Sequence, residues 1–582
     1  MSTDELGPIA IIGSACRFAG GINSPNGLLK LLRKPRDVQA LIPKNRFAAS
    51  GFFHAGGQYH GHTNVKSAYV LDQDPAVFDA SFFDIKPVEA QALDPQQRLL
   101  LEVVYEGLES AGIALENIRG TDTGVYVGQM SSDYEILQLR DSQSLPNYHT
   151  LGTQRAILAN RISHFFDWTG PSISIDTTCS SNLIAIHFAA QALRCGEARQ
   201  AVACGTNLLL GPEHFIGYSK LMMLSPEGKS KMWDEGANGY ACGEGVAAIV
   251  LKTLRNAIQD GDRIECVLRA TGVNQDGCTK SITMPSPQAQ AALIQDTYRK
   301  AGLDLHKSED RCQYFEAHGT GTRFGDSVEA EAIQSAFFSP PAQISGAGLP
   351  NDMQSPPLYV GSKNVEVPTS TIPWPVMKPG QLVRRASVNS FGVGGTNAHA
   401  IVENYPFSTT ANDIEHTSGI PASILFSAAS EKSLNALLES YKHYLEEHPM
   451  INVHDLGATL MNHRSLLRHR AVFTASSTTE LRALIEHRLE QAAPFIDAVT
   501  SRPSRMLAIF TGQGAQYARM GAELLLKSPF SRKVFDTLDS YLSELSPEET
   551  PSWPLTTELL TDGIPQSRRV YGPVFEPIGN CP

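Results

Sequence analysis

The chain has 582 residues, too many for one ordinary domain, and its length alone suggests three or four. Hydrophobic residues make up 42% and aromatic residues 8%, enough for sizeable cores. The net charge is −12 and no basic block is interleaved with aromatics, which argues against nucleic acid as a partner.

Residues 8–13 (Pro-Ile-Ala-Ile-Ile-Gly) read as a buried strand ending at a glycine turn. The run is far too short to span a bilayer. Asp4 and Glu5 precede it, where a secretory signal carries positive charge. A soluble, cytoplasmic chain with no membrane contact is expected. Residues 87–113 read as one helix, with Leu99, Leu100, Val103, Val104 and Leu108 at near-helical spacing and Gly112 closing it. Residues 123–128 read as a strand between glycines, and 180–194 as a mainly apolar helix starting directly after Cys179. Residues 246–251 and 359–361 look like further buried strands, and 313–316 like a strand ending just before His318. Strands alternating with long helical patterns point to α/β layering with a mostly parallel sheet.

Residues 338–357 are rich in Pro, Gly and Ser and read as a surface loop. A second polar stretch, 406–420, precedes Ile424-Leu425-Phe426-Ser427. Residues 430–492 are helical and charged, the pattern of a small α/β linker domain. A new strand is expected at 507–510, followed by Thr511-Gly512-Gln513-Gly514, and residues 563–582 have no apolar periodicity. The nine cysteines are scattered with no CxxC pair, an odd set that argues for reduced thiols.

Three segments carry chemistry. Cys179 lies in Asp176-Thr177-Thr178-Cys179-Ser180-Ser181, directly before an apolar helix whose dipole lowers a thiol pKa. A buried structural cysteine with a capping Ser/Thr set is the plain alternative. His318 precedes Gly319-Thr320-Gly321-Thr322, which leaves room for a polar ligand at the backbone; a packed, satisfied histidine is the alternative. Gly392, Gly394 and Gly395 offer unhindered N–H groups for an oxyanion site, or simply a tight turn joining two strands. This run is not GxGxxG and no GxxxxGK[ST] occurs, so nucleotide binding has no support. His54, His60 and His62 cluster without Cys or carboxylate partners at ligand spacing and read as a solvated loop, not a metal site. Leu538-Asp539-Ser540 is faintly similar to a phosphopantetheine attachment site but lacks the glycine context.

Together these segments resemble the β-ketoacyl synthase domain of an iterative type I polyketide synthase, of the fungal highly reducing or hybrid polyketide–nonribosomal peptide kind. The similarity runs through residues 8–13 with Cys16-Arg17-Phe18, Asp94-Pro95-Gln96-Gln97-Arg98, Asn160-Arg161-Ile162-Ser163, and the Asp176–Ser181 cysteine site. It continues through Leu224-Ser225-Pro226-Glu227-Gly228, Gly243-Glu244-Gly245, Glu316–Thr322, Gly325-Asp326 and Ser387–Asn397. By this resemblance residues 8–403 are the synthase, with an internal deletion near 362–368. Residues 404–506 are its linker to an acyltransferase, 507–562 a truncated acyltransferase start, and 563–582 a tail outside the family.

The resemblance implies a thiolase-like layered α/β fold of two βαβαβ-type halves, the second incomplete, and a homodimer. It implies that Cys179 accepts the growing acyl chain and that His318 stabilises the enolate formed when a malonyl thioester loses carbon dioxide. Backbone N–H groups at Cys179 and Phe391 would hold the thioester oxygen. Thr320 and Thr322 would meet the phosphopantetheine arm of an acyl carrier protein, with no cofactor or metal bound directly. The partners are then that carrier and its malonyl and acyl thioesters.

The sequence departs from the family in three places. The family's G-S-x-K-x-N-x-G-H segment is replaced by Gly361-Ser362-Lys363-Asn364-Val365-Glu366-Val367-Pro368, so its second histidine is missing and Lys363 does not match the lysine's spacing. Cys242 stands where the family has arginine, with loss of a fixed charge and of a local ion pair expected. The acyltransferase G-H-S-x-G does not occur. Two other functions stay open: a truncated remnant acting at most as a dimerisation partner, and a thiolase-like enzyme using acyl-CoA.

Overall fold

The first strand, β1 (Ile9–Phe18), runs well past the glycine where the sequence suggested a turn. Gly13 instead marks a register shift within the strand. A Cβ there would lie 2.5 Å from the Gly107 carbonyl oxygen, so bare backbone is what lets a helix close on the strand. The computed structural model describes residues 7–338, 372–377, 383–406, 421–491, 496–497, 519–548 and 550–562.

Residues 87–113 form two helices rather than one, α1 (Pro87–Ala92) and α2 (Pro95–Ser110). Asp94 makes the break. Its carboxylate accepts the Gln96 N–H at 2.8 Å as an N-cap, and Pro95 takes the first helical position, which a helix start tolerates and an interior does not. The apolar stripe read from the sequence is fully buried, and α2 packs on β1.

The elements of this unit that build the sheet and cover it follow in order, beginning with β2 (Gly124–Gln129), α3 (Arg155–Phe166), β3 (Ser172–Ile175), α4 (Ser181–Cys195), β4 (Gln200–Asn207) and β5 (Gly245–Thr253). Then come β6 (Cys266–Gln275), α5 (Pro287–Lys300), β7 (Tyr314–Glu316), α6 (Gly325–Phe338), β8 (Arg385–Phe391) and β9 (Thr396–Glu403). The strands form one nine-stranded sheet in the order β3-β2-β4-β5-β1-β6-β9-β8-β7. It is mixed rather than mostly parallel. Only β2/β3, β2/β4 and β7/β8 run parallel, because β5 and β9 return antiparallel in the middle of the sheet.

The two halves of the sheet share one strand order. Strands β1 to β5 lie in the order 3-2-4-5-1. Counting β6 as first, β7 as second, β8 as fourth and β9 as fifth, the other half lies in the order 2-4-5-1. Among the described residues no strand flanks β7, whereas β3 flanks its counterpart β2. Phe338, expected to open the loop at 338–357, still ends α6, and residues 339–357, the strand expected at 359–361 and Lys363 lie outside the described residues. Helices α2 and α3 cover one face of the first half and α4 the other, and α5 and α6 bury a second core with Tyr298, Phe315 and Phe337.

Residues Met1–Phe407 with His463–Ser465 make one compact unit, and Ser408–Asn462 with Leu466–Pro582 the other. In the second unit, β10 (Ala422–Ala428), α7 (Glu431–Glu447), α8 (Val453–Asn462), β11 (His469–Ala475), α9 (Thr478–Glu490) and β12 (Ile496–Asp497) form a small α/β fold on a three-stranded antiparallel sheet. Ile424, Phe426, Leu434, Leu438, Leu481 and Ile485 fill its core. Helices α10 (Ala522–Lys527), α11 (Pro529–Ser543) and α12 (Leu555–Leu560) follow. Leu538-Asp539-Ser540 sits inside α11, where Asp539 accepts the Thr556 N–H at 3.0 Å. The strand expected at 507–510, the segment after it and the tail from 563 lie outside the described residues. Among the described residues no helix is long and apolar enough to cross a membrane.

Candidate active site

Loops at the carboxyl ends of parallel strands are where α/β sheets place ligands. Here β3 leads into Asp176–Cys179, β7 into His318, and β8 into the turn Gly392–Gly395 that joins it to β9.

Cys179 does not start α4 directly. It is the middle residue of a 3₁₀ turn, Thr178–Ser180, from which α4 continues. The turn is tight because Thr178 has φ +61°, a left-handed conformation that a β-branched residue adopts only under constraint. The constraint is visible. Thr178 N–H donates to Asp176 Oδ1 at 3.1 Å, Thr177 N–H donates to Ser181 Oγ at 2.9 Å, and Ser181 Oγ donates to the Thr178 carbonyl at 2.6 Å. At this turn Cys179 is exposed on one side. Protein crowding the other side pushes the thiol pKa up, against the opposing pull of the Val393 N–H, the Thr178 hydroxyl and the residue's own N–H. This corrects the expectation from the helix dipole. Desolvation outweighs the dipole and the donors, so the resting group is the thiol.

The glycine turn is both things the sequence allowed. It closes a β-hairpin, with Gly395 N–H donating to the Gly392 carbonyl at 2.8 Å. It also lies against the cysteine turn: a Cβ on Gly392 would be 2.3 Å from the Thr177 carbonyl oxygen and 2.8 Å from Thr178 Oγ1. Val393 N–H donates to Thr178 Oγ1 at 3.0 Å, and Ser390 Oγ donates to the Cys179 carbonyl at 2.9 Å. Phe391 ends β8 between these two contacts.

His318 reaches the same turn from the other side of the sequence. Its ring centroid is 5.7 Å from that of Phe391. Burial holds its pKa down at about 4, so the imidazole is neutral at physiological pH. Its loop is pinned by two carboxylates on the first turns of α6. Glu329 accepts the N–H groups of His318 and Gly319 at 2.8 and 2.9 Å, and Asp326 accepts those of Gly321 and Trp233 at 3.0 and 2.8 Å. Thr320 and Thr322 are half-buried on this loop with their hydroxyls 3.4 Å apart. Thr322 Oγ1 also accepts the Gly325 N–H at the start of α6, so part of its role is local.

The sequence reading missed Glu329, Ser390 and the strain at Thr178. Asp326 and Glu329 are three apart on a helix, hence on one face, and that spacing was the available signal. It also left His399 unassigned. His399 does not replace the missing histidine: it lies within β9 and is 0% exposed. Cys242 is buried with Leu209, Phe215 and Leu224, and burial pushes its thiol up to about 12. The neighbouring ion pair does without an arginine there: Glu244 is paired with Arg46 at 2.7 Å. His54, His60 and His62 are on a surface loop, and among the described residues no group of His, Cys, Asp or Glu can hold a metal.

Residues 7–257 match the β-ketoacyl synthase N-terminal domain, 265–346 its C-terminal domain, and 356–473 the ketoacyl-synthetase C-terminal extension. The chain belongs to the β-ketoacyl synthase family.

A highly reducing polyketide synthase of Penicillium decumbens is 49% identical over 608 aligned positions, covering 95% of this chain and 21% of that protein. A hybrid PKS-NRPS synthetase of a Fusarium species is 48% identical, covering 97% and 15%. The chain thus spans about a fifth or less of the length of these curated relatives. Among solved structures, the ketosynthase of module 6 of the Bacillus subtilis bacillaene synthase has a TM-score of 0.71 at 28% identity, covering 95% of this chain and 96% of that one. A Streptomyces albus oxazolomycin ketosynthase domain has a TM-score of 0.72 at 30% identity, covering 83% and 88%. The fold is the thiolase-like α/β fold of ketosynthases.

Proposed function

We propose that this chain is the ketosynthase region of a polyketide-forming synthase and that Cys179 is its acyl-accepting nucleophile. The observation that carries this reading is the convergence of the strained Cys179 turn and the His318 ring on the end of β8 and the turn that follows it. In the loading step the Cys179 sulfur attacks an acyl thioester. A new thioester forms, the carrier thiol leaves, and the proton of Cys179 goes to that thiol. The raised thiol pKa fits a group deprotonated during this exchange rather than a standing thiolate.

In the condensing step a malonyl thioester loses carbon dioxide. The electron pair of the broken bond forms an enolate, whose oxygen the neutral His318 imidazole stabilises by donating an N–H. The enolate carbon attacks the Cys179 thioester, whose oxygen the Cys179 and Phe391 backbone N–H groups hold. The β-ketoacyl chain leaves on the carrier and the Cys179 sulfur is released. Thr320 and Thr322 contact the phosphopantetheine arm.

The missing segment sets the balance between the two steps. Loading needs only the turn between β3 and α4 and the end of β8, both present. Condensation lacks the family's second histidine, and one deleted oxyanion donor typically costs about 10²–10³ in rate. The alignment to the Penicillium relative is longer than this chain, which supports a lost segment. Loading therefore outlasts condensation here. Pairing with a second copy is also part of the reading, supported by β3, an outer strand whose Ile173 is exposed.

Intact-mass measurement after incubation with an acyl thioester tests the nucleophile. One acyl group is expected on the wild-type chain and none on Cys179→Ala. Carbon dioxide release from a malonyl thioester tests the second step and should fall further in His318→Ala, which should still load. Acylation persisting in Cys179→Ala would refute the assignment.

A further inference from the structure

We propose that Asn389 and His399 are positioning residues for the His318 loop, acting through the Glu329 carboxylate. The kinetic part of this inference rests on the condensing reading above; the structural part does not.

The argument is an account of donors and acceptors in a buried chain of groups. Glu329 is 2% exposed, Asn389 5% and His399 0%. Glu329 Oε1 accepts both the His318 N–H and Asn389 Nδ2–H, the latter at 2.9 Å, while Oε2 takes the Gly319 N–H. Burial pushes the Glu329 carboxyl pKa up, against the pull of its N–H donors. Both of its oxygens already accept backbone N–H groups, so the amide nitrogen of Asn389 is the group that faces Oε1. That turns Asn389 Oδ1 toward His399 Nδ1, 2.7 Å away. An amide oxygen also only accepts, so His399 must carry its proton on Nδ1. Nε2 is then a bare acceptor, and it has no partner. It sits among aromatic rings, with Tyr298 and Phe315 centroids 6.2 and 5.9 Å away. The Tyr298 hydroxyl is already engaged with Ser387 Oγ at 2.9 Å and the Cys312 N–H at 3.2 Å.

Each link thus has one orientation. A polar chain from the centre of β9, through β8 and α6, ends on the backbone of the residue next to the nucleophile's turn. Burying such a chain is costly, and an apolar set of the same volume would cost less. What it fixes is the peptide at His318–Gly319, where Gly319 has φ +46°. The same loop contains its own control: Gly321 is held by Asp326, which touches neither Asn389 nor His399.

Hydrogen–deuterium exchange at the amides of His318, Gly319 and Gly321 reads the relay without requiring activity. His399→Leu keeps bulk but removes the Nδ1 donor, whereas His399→Asn keeps an N–H near the same place. In His399→Leu the His318 and Gly319 amides should exchange about tenfold faster while Gly321 is unchanged, and His399→Asn should match the wild type. Carbon dioxide release should fall in kcat in the Leu variant with KM and acyl loading nearly unchanged. Should His399→Leu fail to fold, Asn389→Ser carries the same comparison. Unchanged exchange at 318–319, or equal loss in the Leu and Asn variants, would overturn the proposal. If the wild type released no carbon dioxide the condensing reading would fail, and the exchange pattern would still decide the relay.

Discussion

At the scale of single residues, the site is built by what is left out as much as by what is present. Gly392 has room for no Cβ, since the nearest atom to it would be the Thr177 carbonyl oxygen at 2.3 Å. Gly392→Ala must push the β8–β9 turn away from the cysteine turn, and misplacement by about 1 Å costs on the order of 10² in rate. A loss of that size in Cys179 acylation, with melting nearly unchanged, is the expected result, and a variant that loads normally would contradict it. Glu102 shows the electrostatic side of burial. Desolvation, with a push from Glu106 that Arg17 opposes, raises its carboxyl to about 7. A folded pKa above the unfolded one favours the fold at low pH, and that contribution is lost as pH rises from about 4.5 through 7. Glu102→Gln should therefore melt higher than the wild type at pH 8 and close to it at pH 5.

At the scale of elements, buried charge locks loops to the sheet. Arg46 meets Glu244 just before β5, and Glu244 also accepts the N–H groups of Leu71 and Leu209 at 2.8 and 3.1 Å. Removing the cation alone strands a buried carboxylate. Arg46→Met should cost about 3–5 kcal/mol, measured by denaturant unfolding, whereas a change below about 1 kcal/mol would mean water repairs the site. The elements also show what a sequence can and cannot convey. The helix after Cys179 and the strand before His318 were legible because apolar periodicity is local. The break at Asp94 was hidden, since capping by a carboxylate and a proline start look like part of a continuous apolar stripe. The antiparallel middle of the sheet was equally hidden: which strand lies beside which depends on contacts across hundreds of residues. Cys179 was singled out from its neighbours, but the direction of its pKa was not legible, because the helix N-terminus is in the sequence and the crowding around the thiol is not. His399 and Glu329 are 70 residues apart and acquire meaning only when β9, β8 and α6 lie side by side.

At the scale of the whole molecule, the first half's 3-2-4-5-1 order gives a standard for the second half, whose described strands repeat its 2-4-5-1 part. In the first half the connection from β3 to β4 contains the Cys179 turn and α4. In the second half the sequence preceding β8 carries Pro368, Pro373, Pro375 and Pro379, a composition unsuited to a long helix. Grafting a family G-S-x-K-x-N-x-G-H segment with its following helix into this position should raise carbon dioxide release by about 10²–10³. Acyl loading should change little. A graft that folds yet adds nothing would show that condensation is limited elsewhere.

Among the described residues β7 ends the sheet, and this brings one more consequence. Trp374 places its ring 6.3 Å from that of Tyr314 on this strand, and its side chain is 36% exposed. The indole is an optical probe already installed at the border. Anything that pairs with the border and excludes water from it should move the emission of that indole to shorter wavelength, and Trp374→Phe should abolish the signal.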